Sequence, residues 1–185
     1  IEFIKRADVR VNGDTKVQFY FGGNKVPEAD RVWLTKMVEE LQAKAPKDTM
    51  TVQVNQESQS FYGRAVRGNE LMWITPKTVM DSTANTVEGG GFKMPALNNF
   101  SQREYTMAHE WGHALDTLPE ATRDKLIAEA IKETKDKPGY FVSRYSQKNN
   151  AEFLAEMFAE WYLTAGQSEN PLVLAMAEKF GWGNG

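Results

Sequence analysis

The chain holds 185 residues, 41% hydrophobic, 25% charged and 11% aromatic, with a formal net charge of -3. That length fits one domain with a sizeable core. So weak a charge implies no pull toward nucleic acid or an anionic membrane, and no apolar run approaches the ~18 residues that a spanning helix needs. The absence of cysteine excludes disulfides, thiolate metal ligands and a cysteine nucleophile together. Ile1 stands first in place of Met, so a processed or trimmed form is expected, with any export signal out of view.

Residues 1–11 and 16–21 alternate or run apolar around the turn-like Asn12-Gly13-Asp14, which predicts a hairpin. Residues 27–45 read as a helix, with Pro27 near its first turn and Pro46 beyond its end. Its expected core face carries Val32, Met37, Val38 and Leu41. Residues 50–55 and 70–75 are short β-rich runs, and 60–66 reads as another strand interrupted by Gly63. Residues 81–99 carry Gly89-Gly90-Gly91 and Pro95 and read as a loop, either a surface connection or a flap beside a site.

The second half reads as helix. Ser101 and Glu104 have the spacing of a capping box, which starts a helix running to about Leu118. Thr117 or Leu118 with Pro119 opens the next, to about Lys135, carrying Leu126, Ala130 and Ile131. Asn149 or Asn150 caps a third, to about Leu163, and Asn170-Pro171 opens a fourth. Strands first and helices second predict one α+β domain: a small N-terminal β-sheet with a helix, then a helical half.

Residues 109–113 read His-Glu-Trp-Gly-His, an HExxH motif. On a helix, positions i and i+4 lie one turn apart on one face, so both imidazoles can reach one ion. Glu110 then projects to the side where a bound water would sit, as its general base. Zinc would lower that water's pKa and polarise a scissile carbonyl. These are the chain's only two histidines. Chance places such a pair four apart, with glutamate second, in roughly one chain in a thousand. Gly112 costs a helix up to ~1 kcal/mol against alanine, which points to close approach by another segment.

A catalytic zinc takes three protein ligands and leaves one position open. With no third histidine and no cysteine, a complete site needs a carboxylate. Asp116, Glu120, Glu152, Glu156 and Glu160 are among the candidates C-terminal to the motif. Asp116 is placed either for a hydrogen bond to a ligand ring or as a charge near the helix end, and is awkward as a ligand of the same ion. Glu152, Glu156 and Glu160 form a stripe at i, i+4 and i+8, opposite the apolar Phe153, Leu154, Met157, Phe158 and Trp161. Like charges so spaced repel, and a nearby cation would relieve them. Glu152 also fits as a capping-box partner of Asn149.

The segment from Tyr145 through Asn149, Glu152 and Phe153 to Glu156 resembles the closing motif of the lethal factor-like zinc peptidases. That family includes the catalytic domain of anthrax lethal factor and the Pro-Pro endopeptidases. Its members carry an HExxH helix, then a glutamate ligand on a second helix, with a tyrosine seven residues before it. Tyr145 and Glu152 stand at that spacing. The resemblance covers roughly residues 103–162.

The resemblance implies a gluzincin-like, secreted zinc endopeptidase with His109, His113 and Glu152 as ligands. Tyr145 would donate to the developing oxyanion, and Glu156 would orient a ligand histidine. A peptide substrate is expected to bind in extended form along an exposed strand, with residues 70–75 as that strand. A competing expectation is an inactive or partner-restricted zinc-binding domain of a larger toxin or phage-type protein. Substrate sequence and oligomeric state leave no signature in the chain.

Overall fold

Alternating side chains build the sheet of the computed structural model, which describes residues 5–12, 14–21, 26–54, 63–65, 70–83, 100–136 and 145–183. Strands β1 (Lys5–Asn12) and β2 (Asp14–Phe21) form the expected antiparallel hairpin, with a register shift at its turn end. Strand β3 (Thr49–Val54) pairs parallel to β2, and β5 (Leu71–Ile74) pairs parallel to β3. The three-residue β4 (Gly63–Ala65) runs antiparallel along the far side of β5, giving the order β1-β2-β3-β5-β4.

The register explains why one face is buried. Val17 stands beside Val52, and Val52 beside Met72; Phe19, Val54 and Ile74 make a second row. All six are buried. Side chains one residue away point to the other face, where Gln53 donates to Gln18 at 2.9 Å.

Helix α1 (Glu28–Lys44) links β2 to β3, the crossover that a parallel pair requires. Its buried stripe is Leu34, Met37, Val38 and Leu41, spaced i, i+3, i+4, i+7. Val32, expected on that face, is 47% exposed; Leu34 takes the place in the stripe.

A short helix, α2 (Pro76–Met80), follows β5 directly. It was not expected, although Thr75 followed by Pro76 is a cap-and-proline start, and the Thr75 side chain accepts the Thr78 N–H. Of the expected loop at 81–99, residues 81–83 are irregular and 84–99 lie outside the described residues.

Helices α3 (Gln102–Ala114), α4 (Glu120–Thr134), α5 (Asn150–Leu163) and α6 (Pro171–Phe180) complete the α+β fold. Helix α3 ends earlier than Leu118, because the chain turns at Leu115 and Pro119 already caps α4. The core face of α4 is Ile127, Ala130 and Thr134, while Ile131 is 41% exposed. No described helix is long and apolar enough to cross a membrane.

Candidate metal centre

Two helices carry the site, and both starts are set locally. The Ser101 hydroxyl accepts the Glu104 N–H, and the Glu104 carboxylate accepts the Ser101 N–H. At the other end of α3, Lys47 donates its Nζ to the Ala114 carbonyl at 2.8 Å, a cation where the helix dipole is negative. Between them the fully buried Trp111 donates Nε1 to the Ala45 carbonyl at 2.8 Å. On α5 the Asn149 side chain accepts the Glu152 N–H at 2.9 Å. Glu152 therefore sits in the first turn, with its backbone used by the cap and its carboxylate free to turn toward α3.

Gly112 sets how close the two helices come. A Cβ there would stand 2.9 Å from Ala155 Cα and 3.2 Å from the Ala155 carbonyl oxygen. The backbone of α5 occupies the space a side chain would need. That contact is the close approach the helix-interior glycine implied.

His109, His113 and Glu152 converge and could hold a metal ion. Nε2 of His109 lies 3.1 Å from Nε2 of His113. Glu152 Oε2 lies 3.0 Å from His109 Nε2, and Oε1 lies 3.2 Å from His113 Nε2. Glu152 Oε2 is buried, yet no aligned hydrogen bond satisfies it. The two imidazoles and the carboxylate thus face one another within ligand reach of a single point.

The electrostatics say the same. Burial opposes a charged His109, but Glu152 and Glu156 outweigh it and raise its pKa from 6.5 to about 10. Burial also works to raise the Glu152 carboxyl, but the two imidazoles hold it well below the usual carboxylate range. Both shifts favour a positive charge among these three side chains.

Glu110 is buried beside the pair, and its Oε2 accepts the Ala65 N–H at 2.7 Å. Burial raises its pKa, with His109, His113 and that N–H pulling the other way. The bond orients β4 as well. Ala65 N–H points to Glu110 and away from β5, so the outer edge of β4 runs past the carboxylate. Strand β5 is paired on both sides, so residues 70–75 are not the exposed strand expected. Among the described residues that edge belongs to β4.

The remaining expected residues part company. Glu156 is fully buried, with Oε2 3.3 Å from His109 Nδ1. Glu160 is also buried, but it accepts the Ser168 hydroxyl at 3.1 Å, so the glutamate stripe is no solvated face. The Asp116 carboxylate accepts Arg123 Nη1 at 2.8 Å, joining α3 to α4. Arg123 also bonds Asp124, which accepts Asn150 Nδ2 at the start of α5. The backbone of Tyr145 opens a 3-10 turn, Tyr145–Gln147, just ahead of α5; its side chain lies outside the described residues.

Sequence reasoning missed Ala65 and Arg123, for which no motif exists. Nor did it give Tyr105 a role at the site, although the i, i+4 spacing to His109 puts both on one face. No protein-family model, curated protein or solved structure matches the chain.

Proposed function

We propose that the chain is a zinc-dependent endopeptidase similar to the lethal factor-like peptidases. The observation that carries this reading is the convergence of His109, His113 and Glu152, with Glu110 beside them at the strand that forms the sheet edge among the described residues. Ligand atoms about 2.0–2.1 Å from one tetrahedral ion stand about 3.3–3.4 Å apart. The two Nε2 atoms stand 3.1 Å apart, close to that, and each lies within 3.2 Å of a different Glu152 oxygen. Two imidazoles and one carboxylate are also the donor set of many catalytic zinc sites, which keep one position open.

Zinc held by His109, His113 and Glu152 would supply a Lewis acid and would acidify bound water toward neutrality. The protein supplies the rest. An extended peptide adds to the outer edge of β4 by main-chain hydrogen bonds, which brings a carbonyl past Glu110. Glu110 takes the proton of the attacking water and returns it to the leaving amine. Burial of Glu110 favours a carboxylate basic enough for that exchange. Tyr145, at the spacing of the family's tyrosine, donates to the oxyanion.

The test is cleavage of a mixed peptide library by wild type and Glu110→Gln. The variant is expected to keep its zinc and lose turnover by at least about 10²–10⁴-fold. Undiminished cleavage by the variant would sink the mechanism. Zinc binding by the wild type with no cleavage of any peptide would favour the inactive or partner-restricted domain.

A further inference from the structure

Glu156 occupies an unusual place. Its carboxylate has no exposure to solvent, and it stands one turn after Glu152 on α5. Its Oε2 faces two side chains of α3. One is His109, through Nδ1 at 3.3 Å. The other is Tyr105, whose hydroxyl donates to the same oxygen. Tyr105 is buried, and its ring centroid lies 5.9 Å from that of His109. A single carboxylate oxygen is thus bracketed by two residues one helical turn apart.

The bracket has a chemical consequence for His109. An imidazole that binds through Nε2 must carry its proton on Nδ1. A carboxylate oxygen opposite Nδ1 selects that tautomer and fixes the ring plane. The carboxylate can do so only if its own rotamer is fixed. Met157 and Ala155, its neighbours on α5, offer no hydrogen bond from their side chains; the tyrosine hydroxyl does. A phenol keeps its proton at neutral pH, so the hydroxyl stays a donor to Glu156.

We propose that Tyr105 is a positioning residue for the metal site, acting through Glu156 to hold His109 in the tautomer and orientation that bind the ion. The proposal rests on the zinc reading above. It adds a residue to that reading and gives the hydroxyl a role that packing alone does not require.

The experiment measures zinc dissociation constants by competition with a chromophoric chelator. It compares the full-length wild type, Tyr105→Phe, Glu156→Gln and the double variant, each checked for folding by denaturant titration. Loss of a group behind a ligand weakens metal binding by about 10–100-fold. Tyr105→Phe is expected near the lower end and Glu156→Gln near the upper. The double variant should bind zinc about as Glu156→Gln does, because residues acting through one another are not additive.

Wild-type affinity in Tyr105→Phe would overturn the proposal. So would losses that simply multiply in the double variant, since Tyr105 would then act by another route. Tyr105→Phe that cannot fold even with zinc present would make the residue structural and overturn it too. A wild type that binds no zinc would overturn the metal reading itself, an outcome the wild-type arm separates from all the others.

Discussion

His109 is asked to do two things. It must stay neutral to bind a metal, yet Glu152 and Glu156 favour its protonated form. A metal bound there and a proton would therefore compete for one nitrogen. The folded pKa of about 10 lies above the ordinary 6.5. The stability this proton gives to the metal-free protein is fully present below about 6.5 and lost as the pH rises toward 10. Zinc binding runs the other way, because it releases that proton and tightens with pH. The rise in melting temperature on adding zinc is expected to be larger at pH 8.5 than at pH 6. Thermal melts with and without zinc at the two values check it, and a smaller rise at pH 8.5 would contradict the competition.

At this scale the sequence was most informative. The HExxH spacing fixes His109, Glu110 and His113 through helical periodicity alone. Choosing Glu152 from the carboxylates C-terminal to the motif took a family resemblance. The contacts of Glu156 and Asp116 depend on Tyr105 and Arg123, which no spacing rule ties to them.

The contact between α3 and α5 decides whether Glu152 reaches the histidines at all. Gly112 gives the clearest test. Alanine there would gain up to ~1 kcal/mol of helix propensity but meet the Ala155 backbone at 2.9 Å. Overpacking of this kind costs about 1–3 kcal/mol, and backbone cannot swing aside as a side chain can. Gly112→Ala is expected to melt a few degrees lower and to bind zinc more weakly, as α5 is pushed off. A variant of unchanged melting temperature and zinc affinity would show that the approach is not tight.

Helix starts were legible because caps are local: Ser101, Asn149 and Asn170 all cap as their sequence context implies. Faces were less so. Val32 and Ile131 fit an apolar period but lie on its margin, where Leu34 and Ile127 are buried in their place. The role of residues 70–75 as the open strand failed because edge and interior strands look alike when each has one buried face.

Across the whole molecule, composition and element order sufficed for the α+β class, while strand order did not follow from them. The pairings of β2 with β3 and of β3 with β5 are parallel and non-local. Nothing in a short run such as Thr49–Val54 names its neighbours. Nor does any local pattern say that β4 ends against α3, where Ala65 meets Glu110. That meeting joins the sheet to the helical half and sets Glu110 beside the strand that forms the sheet edge among the described residues.

The metal, held by two residues of α3 and one of α5, would also tie those helices together. The most direct test is zinc stoichiometry and affinity for the wild type and Glu152→Ala, measured side by side. The wild type is expected to bind close to one zinc per chain. Removing one of three ligands should weaken binding at least as much as the 10–100-fold typical of a supporting residue. Zinc held at full strength by Glu152→Ala, or no zinc in the wild type, would contradict the centre described.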